Sequence, residues 1–298
     1  MSILLQQAPY CYSIHYGNKK VTGLVITLNL EFQKNITIVP HEATSTEKIE
    51  GLQQHLLLTK QLTTPLIIGL NQGNPLFSIL ENALKKTILI HQFTDHTHTL
   101  SSLDVSSIIL INEIFQKELT CFLLDGHHRY HALKEQKNGL KKITFWVVPI
   151  EKMQIKSFLK VITVTDIDRT ELLIKSFLTH TKCSKGSRFF IFANTHCHPA
   201  QEPITSSIEA IDHFIQDLIR YNLLSKLDHI PYTKSADLTA SKKRITIATN
   251  QLLLIPTSVN KKELLELIQS KKILPMHSTY FFPKPLDILF QGALQLYD

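Results

Sequence analysis

Short apolar runs that alternate with helical patterns constrain the fold of this chain more than any other feature of its sequence. Residues 145–150, with the sequence FWVVPI, have the length of one buried strand, and residues 206–224 carry isoleucine and leucine at the spacing of a helix face. No apolar stretch approaches the roughly 20 residues that a membrane-spanning helix needs. The alternation predicts an α+β fold.

The length of 298 residues exceeds what one hydrophobic core usually serves, so two packed units are expected, with a single larger unit as the alternative. The best boundary lies near residue 150, which gives a first domain at 1–150 and a second, smaller α/β domain at 151–298. The chain has 43% apolar and 19% charged residues, which is an ordinary globular composition. It has 9 glycines, too few for long flexible Gly-rich linkers.

Neither the N-terminus nor the cysteines indicate export. Residues 1–7 lack the basic region and the long apolar run of a secretory signal, which predicts a cytoplasmic protein. The cysteines are scattered without a Cys-x-x-Cys pair, so no disulfide framework is expected; they are Cys11, Cys121, Cys183 and Cys197. Cys121 lies in an apolar run and is predicted to be a small core residue.

The formal net charge of +7 favours anionic partners such as nucleotides, phosphorylated metabolites or nucleic acid. The lysines and arginines are dispersed, and no long basic block marks an arm that binds nucleic acid. A nucleotide or another small phosphorylated molecule is therefore the expected partner, whereas nucleic acid and membrane are not expected.

Periodicity and turn residues predict the order of the elements. The first half is expected to hold a hairpin over residues 10–30 that turns at Gly17-Asn18, strands at 36–39, 64–70, 122–124 and 143–150, and helices at 75–86, 106–117 and 127–137. A further helix follows the capping-box pair Thr44 and Glu47, with an apolar face of Ile49, Leu52, Leu56 and Leu57. The second half is expected to hold strands at 159–164, 188–193, 244–248 and 252–255, and helices at 170–179, 206–224 and after the capping-box pair Asn260 and Glu263.

Five consecutive residues, DGHHR at 125–129, place polar groups between an apolar strand and a helix. Gly126 permits a tight turn, and the helix N-terminus offers N–H groups and a partial positive charge that attract phosphate. His127, His128 and Arg129 add donors, and an arginine can bind phosphate with two hydrogen bonds. Asp125 could hold Mg²⁺ or orient a hydroxyl. The segment predicts a phosphate-binding site; the alternative is a capping aspartate followed by solvated polar residues.

Three motifs in fixed order resemble a known family. They are VPHEAT at 39–44, DGHHRY at 125–130, and LIPTS at 254–258 leading to MHSTYFFPKP at 276–285. They resemble the branch of the ParB/sulfiredoxin superfamily that contains the free serine kinases, and a prokaryotic family of unknown function that is numbered one thousand and fifteen. The resemblance runs from about residue 10 to about residue 290. It implies a ParB/sulfiredoxin-like, nucleotide-binding N-terminal domain and a C-terminal segment that returns to the site.

The resemblance also implies roles for individual residues. In the free serine kinases the glutamate of Pro-His-Glu acts on the substrate hydroxyl, which points to Glu42 as general base. The DGHHR segment is implied to bind nucleotide phosphates and metal through Asp125, Gly126, His127, His128 and Arg129. The C-terminal segment is implied to close over the transferred phosphate with His277, Ser278 and Thr279. His41, Arg169 and Lys284 are further candidates.

The function that the resemblance implies is a small-molecule kinase. It would transfer phosphate from ATP or ADP, with Mg²⁺, to a hydroxyl of a small, serine-like metabolite, a reaction that needs positioning and charge neutralisation. The chain departs from the family at Ala43, where an arginine is common, at His277, where a lysine is common, and at Asp168, where a basic Thr-His-Arg element is usual. The alternatives are a ParB-like nucleotide switch or DNA-associated protein, and a non-catalytic family member.

Two further groups of histidine and cysteine allow alternative interpretations. His91, His96 and His98 could bind a metal or form a mobile lid, but a solvated loop is the favoured interpretation. The second group includes soft metal ligands at a spacing that matches no zinc motif, so a polar loop is favoured there as well; its members are His180, Cys183, His196, Cys197 and His198. The segment 256–258, PTS, is either an anion site or a plain helix start.

Overall fold

The computed structural model describes residues 9–29, 35–59, 64–135, 142–156, 158–180, 189–193, 196–200, 204–231, 248, 250–256 and 261–286. The chain divides into two compact units. The first comprises Met1–Gln154, Leu267–Ile273 and Phe281–Asp298, and the second comprises Ile155–Glu266 and Leu274–Tyr280. Within the described residues the fold is mixed α/β, with seven α-helices and a large mixed sheet. None of these described helices is long and apolar enough to cross a membrane.

The first unit alternates strands and helices up to a short 3₁₀ helix at Ile150–Lys152. In chain order its elements are β1 (Tyr10–Tyr16), β2 (Lys19–Asn29), β3 (Ile36–Val39), α1 (Thr46–Thr59), β4 (Leu66–Leu70), α2 (Pro75–Asn82), β5 (Lys85–Gln92), β6 (His96–Leu103), α3 (Val105–Gln116), β7 (Leu119–Asp125), α4 (His127–Glu135) and β8 (Lys142–Pro149). The eight strands form one sheet in the order β3-β7-β4-β8-β2-β1-β6-β5. The pairs β3–β7 and β4–β8 are parallel and the others are antiparallel.

Helices α1 to α4 cover one face of this sheet and form the main core with it. Apolar side chains that alternate along the strands point to the helices, among them Leu24, Ile26, Phe145 and Val147. Cys121 is fully buried in this core, which confirms its prediction as a core residue. On the opposite face, the ring of Tyr12 packs edge-on against Trp146 at 5.3 Å between centroids.

The structure confirms the hairpin predicted over residues 10–30. Strands β1 and β2 pair from Tyr10↔Val25 to Tyr16↔Lys19, and Gly17 turns the chain with a φ of 53°. Helix α1 begins one residue later than its capping-box pattern indicates, because Ser45 O accepts the first helical hydrogen bond from Ile49 N at 3.0 Å. Leu57, which was predicted to lie on the apolar face of this helix, is exposed.

The segment after α2 departs from its prediction. The expected helix over 75–86 ends at Asn82, and residues 85–92 and 96–103 form the antiparallel pair β5–β6 in place of a solvated loop. Threonine and serine in β6 alternate with buried His98 and Leu100, which is a strand pattern once His98 is counted as a core residue. Strand β5 lies at the edge of the sheet and exposes its apolar side chains. Its sequence therefore lacks the alternation of apolar and polar residues by which a strand is predicted.

The second unit is built around a five-stranded antiparallel sheet in the order β12-β11-β14-β10-β13. The elements of this half of the chain are β9 (Gln154–Lys156), β10 (Phe158–Val164), α5 (Ile167–His180), β11 (Phe189–Ala193), β12 (His196–Ala200), α6 (Ile204–Arg220), β13 (Leu224–Pro231), β14 (Gln251–Pro256), α7 (Lys261–Gln269) and β15 (Tyr280–Phe282). Its core joins the sheet to α5 and α6 through residues such as Ile162, Ile174 and Phe214. The helix predicted at 206–224 ends at Arg220, and most of the predicted strand at 244–248 lies outside the described residues.

Gly23 provides a test of the packing on the second face of the large sheet. A Cβ atom at this position would lie 2.4 Å from Val147 O and 2.6 Å from Trp146 Nε1, distances that real Cβ atoms do not adopt. We expect Gly23→Ala to destabilise the first unit by about 1–3 kcal/mol, the usual effect of overpacking. Urea unfolding followed by the fluorescence of Trp146, the single tryptophan, measures this change.

The matched control is Gly51→Ala in α1, where an added Cβ meets nothing within 4 Å. This substitution should leave stability unchanged or raise it by roughly 0.5–1 kcal/mol, because alanine favours a helix over glycine. Equal stabilities of the two variants would contradict the close packing at Gly23.

Candidate active site

The candidate site lies at the carboxyl ends of two neighbouring parallel strands of the first unit. Strands β3 and β7 pair in parallel up to Val39↔Phe122. Because parallel strands end at the same edge of a sheet, the residues that follow them meet there. His41 and Glu42 follow β3, whereas Asp125 ends β7. The motifs Pro-His-Glu and DGHHR, 83 residues apart when measured from Glu42 to Asp125, are thereby brought to one edge.

Asp125 binds two cationic side chains. Lys284 Nζ donates a hydrogen bond to Oδ1 at 2.6 Å, and Arg129 Nη2 donates one to Oδ2 at 3.1 Å. Arg129 also donates from Nη1 to Thr64 O at 2.8 Å, so its guanidinium is held between α4 and the start of β4. Lys284, Arg129 and Asp125 together carry one net positive charge, and charge-assisted bonds of this kind are among the stronger hydrogen bonds.

Gly126 allows β7 to turn directly into α4. Its φ of 95° lies in the region that favours glycine, and a Cβ atom here would approach Leu66 Cγ to 2.9 Å and Arg129 Nη2 to 3.1 Å. Helix α4 then begins, and Tyr130 N donates to Gly126 O at 2.8 Å. The N–H groups before Tyr130 in the first turn of α4 have no carbonyl partner within the helix. They therefore point outward at its N-terminus.

His41 and His127 form a buried pair that joins the two motifs. His41 Nδ1 donates to Leu123 O at 2.8 Å, and the backbone N–H of His41 donates to His127 Nε2 at 3.4 Å. The rings meet edge to face with 4.6 Å between their centroids. Because His127 Nε2 accepts a hydrogen bond, the neutral ring carries its proton on Nδ1.

Burial keeps this pair uncharged at neutral pH. Desolvation lowers the pKa of His41 to about 4, against the opposing effects of Leu123 O and the charge of Asp125. Desolvation, together with the neighbouring His41, lowers the pKa of His127 well below its usual value. Both rings therefore connect the loop after β3 to the start of α4 without adding positive charge.

Glu42 lies mostly buried beside this pair. The distance from its Oε1 to His41 Nε2 is 4.0 Å, and 10% of its side-chain surface is exposed. Since His41 is neutral, it adds no positive charge next to the Glu42 carboxylate. The carboxylates of Glu42 and Asp125 thus both lie close enough to interact with the buried ring of His41.

His128 holds the N-terminus of a second helix. Its Nε2 accepts a hydrogen bond from Ser45 N at 3.1 Å, immediately before α1 begins. Burial, together with the charge of Lys48, lowers the pKa of His128, which favours the neutral ring that can accept this bond. Each of the three side chains after Gly126 therefore has a protein partner, and their contact with phosphate stays a prediction.

The C-terminal segment of the first unit packs against the same region. The ring of Phe281 lies 5.8 Å from that of His41, Phe282 packs against Tyr16 at 5.0 Å, and Leu286 N donates to the hydroxyl of Tyr12 at 3.2 Å. These contacts hold the segment on both sides of Lys284, so that its ammonium group reaches Asp125. Lys284 is one of the candidates predicted from the sequence, but its partner has no local signal because 159 residues separate the two.

The remaining predicted site residues belong to the second unit. His277 has a φ of 57°, and its ring lies 4.5 Å from His229 and 5.2 Å from Phe158. Ser278 and Thr279 are buried, and Ser278 Oγ donates to Pro275 O at 2.6 Å. Arg169 is exposed in the first turn of α5, where its backbone N–H donates to Asp166 Oδ1. Ala43 lies in the loop of the first unit and Asp168 is exposed beside Arg169.

No group of three or more histidine, cysteine, aspartate or glutamate side chains is arranged as a metal centre within the described residues. The predicted Mg²⁺ site thus depends on the single carboxylate of Asp125. Of the group between 180 and 198, Cys183 lies outside the described residues and the side chains of His180, His196, Cys197 and His198 are not described. The anion site suggested at 256–258 also falls mainly outside them.

The buried neutral histidines predict that stability depends on pH. In the unfolded chain His41 takes up a proton near its ordinary pKa of 6.5, whereas in the folded protein it does so at about 4. The folded state then binds fewer protons in this range. Stability is complete above about pH 6.5 and falls with pH towards about 4, by up to roughly 1.4 kcal/mol per pH unit for each such histidine.

Urea unfolding followed by Trp146 fluorescence, from about pH 7 to about pH 4.5, measures this slope. His41→Gln should give a shallower slope, while His131→Gln, a change at a partly exposed ring of α4, should keep it. A stability of the unaltered protein that stays constant across this range would show that the pair is not buried and neutral.

Comparison with known proteins gives a fold and a family. A search of the curated proteins finds no match. Among solved structures, a C-terminally truncated SbnI from Staphylococcus aureus has a TM-score of 0.54 at 11% identity and covers 89% of this chain and 85% of its own. A glutamate-to-glutamine mutant of free serine kinase in complex with AMP has a TM-score of 0.52 at 10% identity, with coverages of 94% and 90%.

A glutamate-to-alanine mutant of free serine kinase in complex with ADP has a TM-score of 0.51 at 10% identity, with coverages of 86% and 87%. At such identities the likeness establishes a shared, kinase-like fold. The family model described as "Protein of unknown function (DUF1015)" matches residues 3–163, which is more than half of the chain. The chain therefore belongs to the DUF1015 family.

Proposed function

We propose that this protein is a small-molecule kinase similar to the free serine kinases, with a ParB/sulfiredoxin-like first unit. It would transfer phosphate from ATP or ADP, with Mg²⁺, to a hydroxyl of a small, serine-like metabolite. The observation that carries the proposal is the contact of both Lys284 and Arg129 with Asp125 beside the N-terminus of α4. The shared fold with free serine kinase structures that contain ADP or AMP supports a nucleotide as ligand.

The edge at Asp125 has the charge that a nucleotide phosphate needs. Lys284 and Arg129 outweigh the one negative charge between them, and the N-terminus of α4 adds outward N–H groups and the positive end of a helix dipole. Gly126 allows the tight turn that brings the N-terminus of α4 to this edge directly after β7. The neutral His127 and His128 contribute by holding this edge in place.

Asp125 is the residue that would hold Mg²⁺ in the proposal. Magnesium in such sites is usually bound by one or two carboxylates together with the phosphates of the substrate, so a single aspartate fits that donor set. The ion would supply further neutralisation of the phosphate charge. Lys284 occupies Oδ1 of this carboxylate, and we expect its ammonium group to move to the phosphate when the nucleotide binds.

Glu42 is the proposed general base. Its side chain is mostly buried at the same edge, next to a neutral histidine that adds no positive charge to neutralise the carboxylate. A carboxylate in this setting can accept the proton of an acceptor hydroxyl during phosphate transfer. The resemblance further implies phosphate contacts from His277, Ser278 and Thr279, which remain predictions from the sequence.

Substitution of Glu42 separates catalysis from binding. Glu42→Gln keeps the size of the side chain but removes the base, so phosphate transfer should fall by about 10²–10⁴-fold while the affinity for nucleotide changes little. A screen of hydroxylated metabolites with ATP or ADP, read by phosphorus NMR, measures transfer, and calorimetry measures binding. Glu50→Gln on the exposed side of α1 is the control and should behave as the unaltered protein.

Two outcomes would contradict this assignment. Unchanged transfer by Glu42→Gln would remove Glu42 from catalysis and favour a non-catalytic family member. An absence of heat on titration with ATP, ADP, CTP and GTP in the presence of Mg²⁺ would reject the kinase itself.

Lys284 should contribute to nucleotide binding directly. Loss of one charge-assisted hydrogen bond to phosphate is worth about 1.5–3 kcal/mol, so Lys284→Gln should weaken nucleotide binding about 10- to 100-fold. Lys262→Gln, which removes an exposed lysine of α7, is the charge-matched control and should have no effect. Equal affinities of the two variants in calorimetry would show that Lys284 merely pairs with Asp125.

A further inference from the structure

The hairpin of β5 and β6 gathers three histidines on one face. His91 is the direct partner of His98 across the two strands, and His96 lies two residues before His98 on β6. Directly opposite residues and residues two apart share a face of a sheet, so the three imidazoles lie together. Phe93 packs among them, at 4.5 Å from His91 and 4.4 Å from His96 between ring centroids.

His98 carries a buried nitrogen that lacks a hydrogen-bond partner. The residue is 1% exposed, and its Nδ1 lies 2.6 Å from the hydroxyl of Tyr12. Its Nε2 is buried, and no hydrogen-bond partner for it exists in the described part of the chain. Buried polar atoms are normally satisfied, and leaving one unsatisfied costs about 1–3 kcal/mol. The orphaned Nε2 therefore indicates a ligand.

His96 is oriented in a matching way. Its Nδ1 lies 2.6 Å from Asp95 Oδ1. A carboxylate oxygen only accepts, so the neutral ring carries its proton on Nδ1 and keeps the lone pair on Nε2. Histidines that bind metals are oriented in this manner, with the second ring nitrogen donating to a carboxylate or another oxygen. Tyr12 can serve as that oxygen for His98.

The spacing of the two rings fits one metal ion. Imidazoles that bind a tetrahedral ion at about 2.0–2.1 Å through Nε2 have centroids roughly 5 Å apart. The centroids of His96 and His98 are 4.9 Å apart with the planes at 72°.

We infer that the hairpin binds one divalent transition-metal ion of the zinc class through Nε2 of His96 and His98, with His91 as the third ligand. No three ligands are yet arranged around one point within the described residues, so the half-buried ring of His91 must turn away from Phe93 to complete the site. Imidazole ligands select zinc, copper or nickel, whereas Mg²⁺ prefers oxygen. The site is separate from Asp125 and does not depend on the proposed kinase activity.

The bound ion would fasten the edge strand β5 to β6. His91 lies on β5, whereas His96 and His98 lie on β6, so an ion bound to all three connects the two strands. An ion that binds the folded state alone stabilises it by mass action. Addition of Zn²⁺ should therefore raise the thermal midpoint of the first unit.

The test titrates the full chain with Zn²⁺ or Co²⁺ alone and follows the heat and, for Co²⁺, the visible spectrum. One equivalent should bind, and His91→Ala and His96→Ala should each weaken binding about tenfold or more. His15→Ala, which removes an exposed histidine from β1, should bind like the unaltered protein. An unchanged transition of Trp146 fluorescence in the metal-free variants shows that they remain folded.

Several outcomes of this titration would contradict the proposed metal site. Absence of saturable binding would do so, and so would full affinity in either the His91 or the His96 variant. A thiolate-to-cobalt charge-transfer band would place the ion on cysteine, outside the hairpin. A Zn²⁺-induced rise in thermal midpoint that persists in His96→Ala would have the same consequence.

Discussion

The buried contact between His41 and His127 holds together the two loops from which the candidate site is built. One ring follows β3 and the other begins α4, and the backbone N–H of the first donates to the second. The contact needs a neutral His127, because a protonated ring has no lone pair to accept with. Burial supplies that neutrality by lowering the pKa of both rings. The positions of Glu42 and of the N-terminus of α4 both depend on this pair.

The two histidines of the DGHHR motif have protein partners that their sequence pattern does not indicate. A run of two histidines and an arginine at a helix start predicts three phosphate donors. In the folded unit His127 binds the loop of His41, and His128 binds the start of α1. Positive charge at the edge comes instead from Arg129 and Lys284, together with the dipole of α4. The DGHHR motif thus connects α4 to the loop after β3 and to the start of α1, and Lys284 adds positive charge beside Asp125.

Local patterns in the sequence predict most of the elements but not their partners. The turn at Gly17-Asn18 and the strand–turn–helix at Gly126 follow from residues that are neighbours in the chain, and the structure confirms both. The contact of Lys284 with Asp125 spans 159 residues and has no local signature. The strands β5 and β6 were missed because His98 was read as a solvated polar residue, whereas its neutral ring is buried beside Tyr12.

The histidines near Asp125 and those of the β5–β6 hairpin favour different ions. At the edge of Asp125, Nε2 of His127 and Nε2 of His128 accept from backbone N–H groups, and the carboxylate oxygens of Asp125 are the kind of donor that suits Mg²⁺. On the hairpin, Asp95 and Tyr12 contact the Nδ1 atoms of His96 and His98, which leaves their Nε2 atoms as the nitrogen donors proposed for a zinc-class ion. An excess of Mg²⁺ should for this reason not compete with Zn²⁺ at the hairpin, and the two sites can be filled independently.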